Sequence, residues 1–432
     1  MKAKTLLLFI SFASLPAVSS FGQVDCNTST KLVCQFPFSA QTLGVFAAGT
    51  NSTSALAKAA EAVATPINAS IATQLTQLPI PSATVGVVTL QKKGSEFGTT
   101  FDNLGPVLTD RPDTVGKGHI FAGFSYQHFN FNALAGHDLS NIPIGFNFPT
   151  GNVTSYDAVN NQVSFKLDQY VGIATYGATR RTDISVVIPF NSVSLAVTTS
   201  GFQGYQYNAG TNSYGQIFSP TTSVSSNGSA NGIGDITVIV KQMVIGQEGT
   251  RAAVSAGISA RFPSGDALNY LGSGAFGGSI YGLFEYRARI APHMKLSYQW
   301  NGNSQVMNLQ ALPTTGLPGG LQYAAGADFK IVRSLTLAAD LLVNQFVNVP
   351  SFTTTNPDLP GPAGQGGIPK TIPFTASTNL TYTTANFSGG LKWSPKAHFL
   401  LYGNVLLQLN NVGLRSDPVP LFGIAYNFKT TH

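Results

Sequence analysis

Val419-Pro-Leu-Phe-Gly-Ile-Ala-Tyr-Asn-Phe428, near the end of the chain, alternates without a slip. Pro420, Phe422, Ile424, Tyr426 and Phe428 share one face; Val419, Leu421, Gly423, Ala425 and Asn427 share the other. The first face is apolar throughout and ends in two aromatics at i and i+2. Two structures fit: a strand with its outer face in lipid, finished by an aromatic girdle, or a buried edge strand of a soluble sheet. The strand alone leaves both open, and the rest of the chain decides.

The chain has 432 residues, of which only 10% are charged, with 45 glycines and 11% aromatics. Ordinary soluble domains carry about 25% charged residues, so a soluble chain this poor in charge would struggle to cover its surface. No run of about 20 apolar residues lies beyond the N-terminus, so no spanning helix is predicted. A closed β-barrel is the other backbone arrangement that leaves no unpaired groups in lipid. The net charge of +6 falls to +4 when Lys2 and Lys4 are removed with a leader, too weak and scattered for a nucleic-acid partner.

Lys2 and Lys4, the apolar run Leu6 to Ala13 and the small residues up to Gly22 read as a signal peptide over residues 1–22, with a cut after Ser19 as the alternative. Cys26 and Cys34, the only cysteines, then see an oxidising compartment, and a local disulfide is expected. Residues 23–117 form an N-terminal segment unlike a barrel. Ser54 to Ala64 suggests a short helix, and Thr65-Pro66 starts a second one to about Leu78. The segment has two possible homes, the periplasm or the barrel lumen as a plug.

From residue 118 to 432 the period-2 signal persists. Strands are predicted over His119–Phe131, Gln162–Gly177, Asp183–Thr198, Gly234–Ile245, Ala252–Phe262, Gly278–Ile290, Met294–Asn301, Leu321–Ile331, Leu335–Val347, Leu380–Trp393, Ala397–Leu409 and the final strand. That makes about twelve, most near the roughly ten residues a tilted strand needs to cross a bilayer. The links at 178–182, 246–250, 291–293, 332–334 and 394–396 are short, and those between are mostly long and rich in Gly, Asn, Ser, Thr and Pro. An even-stranded meander with tight periplasmic turns and long outer loops requires that alternation; a soluble sandwich or propeller does not. The fold class expected is all-β, a transmembrane antiparallel barrel of about twelve strands with a partly helical N-terminal plug-like segment.

Opposite the apolar stripes fall Lys166, Asp168, Lys241, Arg261, Glu285, Arg287, Arg289, Asp328, Lys330, Asp340 and Lys392. A charge facing lipid at the midplane costs about 2–4 kcal/mol, so these residues are the pore-lining candidates. Two readings stay open: they line a wet passage, or opposite charges pair and brace a filled interior. Trp300, Trp393, Tyr126, Tyr298, Tyr426 and Phe428 read as girdle residues. The uncharged aromatic loop with Tyr205, Tyr207, Tyr214 and Phe218 either collects apolar solutes at the mouth or packs on its neighbours.

Gly423-x-x-Tyr426-x-Phe428 resembles the C-terminal signal of bacterial outer-membrane barrels. The resemblance implies that the barrel assembly machinery reads Gly423, Tyr426 and Phe428 and that this strand closes on the first. Four residues, Lys429 to His432, follow it, whereas many such proteins stop at the aromatic. Leu104-Gly-Pro-Val-Leu-Thr-Asp-Arg111-Pro-Asp-Thr-Val-Gly-Lys-Gly118 and Gly123-Phe-Ser-Tyr-Gln-His-Phe129 resemble the start of an outer-membrane transporter-like family linked to the meta-pathway of phenol degradation. Tyr176-Gly177 and Ile188-Pro189-Phe190 around Thr179-Arg-Arg-Thr-Asp183 fit the same layout. The resemblance implies an outer-membrane barrel of a Gram-negative bacterium, set in outer-membrane lipid and passing hydrophobic or aromatic molecules. Fatty-acid and aromatic-hydrocarbon channels are similar in plan but have more strands, so no ligand residue is carried over. Asp110, Arg111 and Asp113 are placed at the periplasmic entrance as the junction of plug and barrel, with Arg111 against a wall carboxylate.

The six histidines are dispersed, none in a HExxH or CxxC context, and no serine sits in a nucleophile elbow. The chain is not expected to be an enzyme, and no cofactor or metal is expected; a rim hydrolase centred on His128 or His137 is a third reading without supporting spacing. The expected function is passive uptake of small hydrophobic or aromatic solutes through an outer-membrane channel. The alternative is a non-transporting outer-membrane structural or adhesion protein.

Overall fold

Alternating sequence becomes wall strand in a computed structural model of the chain. It describes residues 24, 26, 29–36, 53–82, 104–150, 153–208, 213–218, 223–246, 250–307, 316–332, 334–355, 374–396 and 398–429. The signal peptide expected over residues 1–22 lies outside the described residues.

The wall consists of β1 (His119–Leu134), β2 (Val153–Gly177), β3 (Thr182–Asn208), β4 (Ile236–Ile245), β5 (Ala252–Phe262), β6 (Gly277–Tyr286), β7 (Ile290–Asn301), β8 (Gly320–Val332), β9 (Leu335–Thr355), β10 (Phe374–Lys396), β11 (Phe399–Gln408) and β12 (Val419–Lys429). Each pairs antiparallel with the next. β12 returns to β1, from His119 opposite Lys429 to Gln127 opposite Leu421, and closes the cylinder. Closure leaves no unpaired sheet edge, the condition for a sheet in hydrocarbon.

The outer face is an apolar belt. Phe124, Ile184, Ile188, Ile258, Ile280, Leu296, Leu337, Leu391, Phe422 and Ile424 are all exposed on it. A contiguous apolar surface of this extent is far beyond the few hundred Å² that soluble monomers expose. Trp300 near the upper end of β7 and Trp393, Tyr426 and Phe428 near the short-turn end are also exposed, at the rims of the belt. The chain is an outer-membrane β-barrel with both ends of its wall on the short-turn, periplasmic side.

Strand lengths depart from the sequence-based bounds on the outer side. β2 has 25 residues and β3 has 27, where roughly ten cross the bilayer. The excess projects as a collar with Ile142–Thr150 paired to β2, and Val224–Ile233 and Ser213–Phe218 paired to β3. Much of the expected loop 199–233 is therefore strand. The turn expected at 291–293 lies instead at 287–289: β7 begins at Ile290, and Pro292 faces outward within it, opposite Ala327. Proline signals a turn, but Pro292 sits near the start of β7, beyond the last β6 partner pair Glu285–His293, where a missing N–H is tolerated.

The described parts of the N-terminal segment lie inside. A single helix, α1 (Thr53–Leu75), runs through Pro66 rather than breaking there as expected. Ala64, Ile67, Ile71 and Ala72 are buried, and this packing outweighs the hydrogen bond that Pro66 cannot donate. α1 lies against the outer parts of β9 and β10 and the Ile142–Thr150 strand. Tyr270 donates its hydroxyl to Asn68 Oδ1 at 2.6 Å, and Asn68 donates to the Val33 carbonyl at 2.8 Å. Val33 belongs to the short loop closed by the Cys26–Cys34 disulfide. Together they form a dome over the outer half of the lumen. Residues 104–118 form a strap across the periplasmic half and lead into β1.

Candidate functional site

The strap has backbone groups to satisfy, and lumenal side chains of the wall satisfy them. Lys392, fully buried, donates to the Leu104 carbonyl at 3.2 Å and to the Pro106 carbonyl. Lys241, also buried, donates to the Arg111 carbonyl at 2.9 Å and the Asp113 carbonyl at 2.7 Å. Ser255 Oγ donates to the Pro112 carbonyl at 2.5 Å. In return the Leu104 amide donates to Thr336 Oγ1 at 2.9 Å, and the Val115 amide to both Asp183 oxygens at 3.1 and 3.2 Å. Charge-assisted bonds of this kind are roughly twice as strong as neutral ones.

Side-chain pairs complete the clasp. Arg111 Nη2 donates to Glu285 Oε1 at 2.8 Å and Nε to Oε2 at 3.2 Å, a forked pair out of contact with solvent. Burial works against the guanidinium charge, yet Glu285 and Asp113 beside it hold its pKa above the ordinary arginine value. Asp113 also pairs with Arg287. Gly105 turns back at φ +75°, and its missing Cβ leaves the space that the Arg111 stem fills. At the end of the strap Thr114 Oγ1 donates to the Arg180 carbonyl in the 178–181 turn at 3.0 Å, and the Gly118 amide to the Gly177 carbonyl at 2.9 Å. A side chain at Gly177 would collide with the Gly116 carbonyl.

Beside this clasp, buried His293 lies between two carboxylates, with Nε2 2.5 Å from Asp340 and Nδ1 3.4 Å from Asp328. Nothing in its sequence context marked His293, because its partners sit on β8 and β9. Lys241, Arg261, Glu285, Asp328, Lys330, Asp340 and Lys392 all lie on the lumenal face of their strands, and Arg287 reaches Asp113 from the 287–289 turn. Arg289 is exposed in that turn, not in the lumen.

Lys166 and Asp168 are corrections. On β2 the apolar stripe Val163, Phe165, Leu167, Val171 and Ile173 is buried inside, and Lys166 points outward. Asp168 lies on the outer face with His128 Nδ1 at 2.7 Å and the Tyr126 hydroxyl at 2.7 Å. The stripe meets protein rather than lipid: Phe165 stacks on Phe131 at 4.8 Å and tilts against Tyr270 at 5.6 Å. The Asp168 carboxylate faces the His128 imidazole, its ladder partner on β1, and Ser192 is its ladder partner on β3.

Between dome and strap is a chamber of about 230 Å³. Thr76–Ser82 roof it, Leu108–Asp110 floor it, and β3 to β10 supply its walls. Its lining mixes Leu78, Ile80, Val187, Ile239 and Leu342 with Arg261, Lys295, Gln299, Gln322, Asn344 and Asn386. Roof and floor meet where Ser82 donates to the Val107 carbonyl at 3.0 Å and to Asp110 Oδ1 at 2.5 Å.

No protein-family profile and no curated protein matches the chain. Among solved structures, an outer-membrane channel of Pseudomonas putida F1 is similar at TM-score 0.40 and 12% identity, over 73% of this chain and 98% of that one. CymD, a monoaromatic hydrocarbon channel, is similar at 0.33 and 8%, over 73% and 90%. A Pseudomonas aeruginosa FadL homologue is similar at 0.30 and 8%, over 72% and 89%.

Proposed function

We propose that the chain is a passive outer-membrane channel for small solutes, held closed in this conformation by the strap. The observation that carries this reading is the way the strap is held. It fills the periplasmic half of the lumen through many polar bonds to the wall, made alongside the buried apolar side chains of Leu104, Val107, Leu108 and Val115. Water can replace such bonds, so release exposes a hydrated passage instead of a greasy one. Asp110, Arg111 and Asp113 act as the junction of plug and barrel, and the lumenal charges line the passage once the strap leaves.

Small hydrophobic or aromatic molecules are the solute class, on the strength of the apolar part of the chamber lining, Leu78, Ile80, Val187, Ile239 and Leu342. The link to phenol catabolism is part of this proposal and rests on the resemblance carried by Leu104 to Gly118 and Gly123 to Phe129. Cys26 and Cys34 tie the outer dome, and Gly423, Tyr426 and Phe428 serve as the assembly signal. The second reading, a non-transporting structural or adhesion protein, is favoured by one observation: dome and strap both occupy the lumen. Liposome swelling separates the two. Solute flux that rises when the strap bonds are broken supports the channel; no flux from any strap-released variant with an intact barrel supports the structural protein.

A further inference from the structure

Two hydrogen-bond donors in the chamber have no acceptor among the described residues. The Lys295 ammonium lies over the Tyr281 ring at 5.2 Å from its centroid, with no hydrogen bond or ion pair. The Tyr281 hydroxyl is buried without a hydrogen-bond partner. Gly257 makes room for it: a side chain there would strike the Tyr281 ring. The other charged groups near the chamber are engaged. Arg261 donates to Asn301 at 2.7 Å and the Thr76 carbonyl at 3.3 Å, and Asp235 lies 3.5 Å away. Asp110 accepts from Ser82 and from the Arg111 amide at 2.9 Å, with Lys241 at 3.6 Å.

An ammonium without a hydrogen-bond partner in a cavity calls for an acceptor with negative charge. The remaining wall is apolar on the β3 and β4 side, at Val187 and Ile239, and amide-lined at Gln299 and Gln322. The volume is below the roughly 300 Å³ at which drug-sized pockets begin. We propose that this chamber binds small organic anions, a carboxylate on a flat apolar body, with Lys295 taking the charge. This rests on the channel reading and sharpens its solute class: an apolar body for the hydrophobic wall, a single carboxylate for Lys295.

The test uses the full-length mature protein in detergent, titrated calorimetrically with sodium benzoate and with benzamide, its neutral analogue. A hydrogen bond to a charged group predicts that benzoate binds at least about tenfold more tightly. Lys295→Gln should bring the two within about twofold, and Lys295→Arg should keep the preference. Equal affinities in the wild type, no binding of either probe, or a preference untouched by Lys295→Gln would overturn the site. If Lys295→Gln fails to fold, as judged by heat-modifiable gel mobility, wild-type salt dependence decides. Benzoate affinity alone should fall with added salt, and equal response of both probes refutes the proposal. Benzoate binding by a protein that passes no solute in any strap-released variant would leave the anion site standing and remove the channel.

Discussion

Replacing Arg111 with methionine should open the periplasmic mouth, and the size of the effect follows from what is left behind. Arg111 forms two bonds to Glu285, at 2.8 and 3.2 Å, and Glu285 is 0% exposed. Methionine keeps much of the volume but strands that carboxylate. Breaking one side of a buried ion pair costs about 3–5 kcal/mol. The docked strap bears that cost alone, because Glu285 lines the lumen and meets water once the strap leaves. At about 1.4 kcal/mol per tenfold, the ratio of undocked to docked strap rises between roughly 140- and 3,700-fold. Planar-bilayer recordings of the purified protein should show open probability climbing accordingly, with the barrel still heat-modifiable on gels. The double variant Arg111→Met with Glu285→Met removes both charges and should close the channel again, since an apolar pair in place of a buried salt bridge is close to neutral. A single variant as silent as wild type, or a double variant as open as the single, would refute the argument.

Other expectations follow from individual contacts. Lys392→Met strands the Leu104 and Pro106 carbonyls, at about 1–3 kcal/mol for each buried group left unpaired, and limited proteolysis within residues 104–118 should quicken. Ile424→Arg places a charge on the exposed apolar face of β12 and should lower stability by about 2–4 kcal/mol in urea titrations in lipid. Asp168→Asn changes a carboxylate on the outer face, so the ion selectivity of the strap-released channel should stay constant, whereas Asp340→Asn should shift it. Cys26→Ser removes a cross-link over a sequence separation of 8, worth about 2.5 kcal/mol by loop entropy, and should speed hydrogen exchange in residues 29–36.

The barrel was legible because lipid imposes a simple rule on the outer face. Pro420, Phe422, Ile424, Tyr426 and Phe428 all lie on the outer face of β12, with no charge among them, and the loop-length alternation follows from the antiparallel meander. Period 2 reports that two faces differ, not which one is inside. On β2 the apolar stripe lines a lumen filled by Phe131 and Tyr270, so Lys166 and Asp168 came out on the wrong side. Above the belt the lipid rule lapses and an outward lysine costs nothing. The contacts of His293, Lys295 and Tyr281 were not legible at all. Each depends on partners on other strands, Asp328 and Asp340 for His293 and Tyr281 for Lys295, and no local spacing records such cross-strand pairings. Pro66 misled for a related reason: tertiary burial of Ile67 and Ile71 overrode a local helix-breaking signal.

The chemistry of the clasp bears on why a plug of this kind can be reversible. An apolar plug would leave an apolar lumen when it moved, and the exposed surface would cost about 25 cal/mol per Å². Here the wall groups that grip the strap are Lys241, Lys392, Asp183, Ser255 and Glu285, all of which water solvates well. Releasing the strap exchanges protein bonds for water bonds, each worth only about 0.5–1.5 kcal/mol net, or about 1.5–3 where a charge is involved, and also uncovers the buried Leu104, Val107, Leu108 and Val115. The docked state therefore depends on many modest bonds being made together, from Leu104 to Gly118. A solute in the chamber need only disturb the floor at Leu108–Asp110, where Asp110 links Ser82 above to Lys241 beside it, to loosen the strap at its middle. The closed barrel around it keeps its own ladder throughout, so opening the passage and unfolding the wall are separate events.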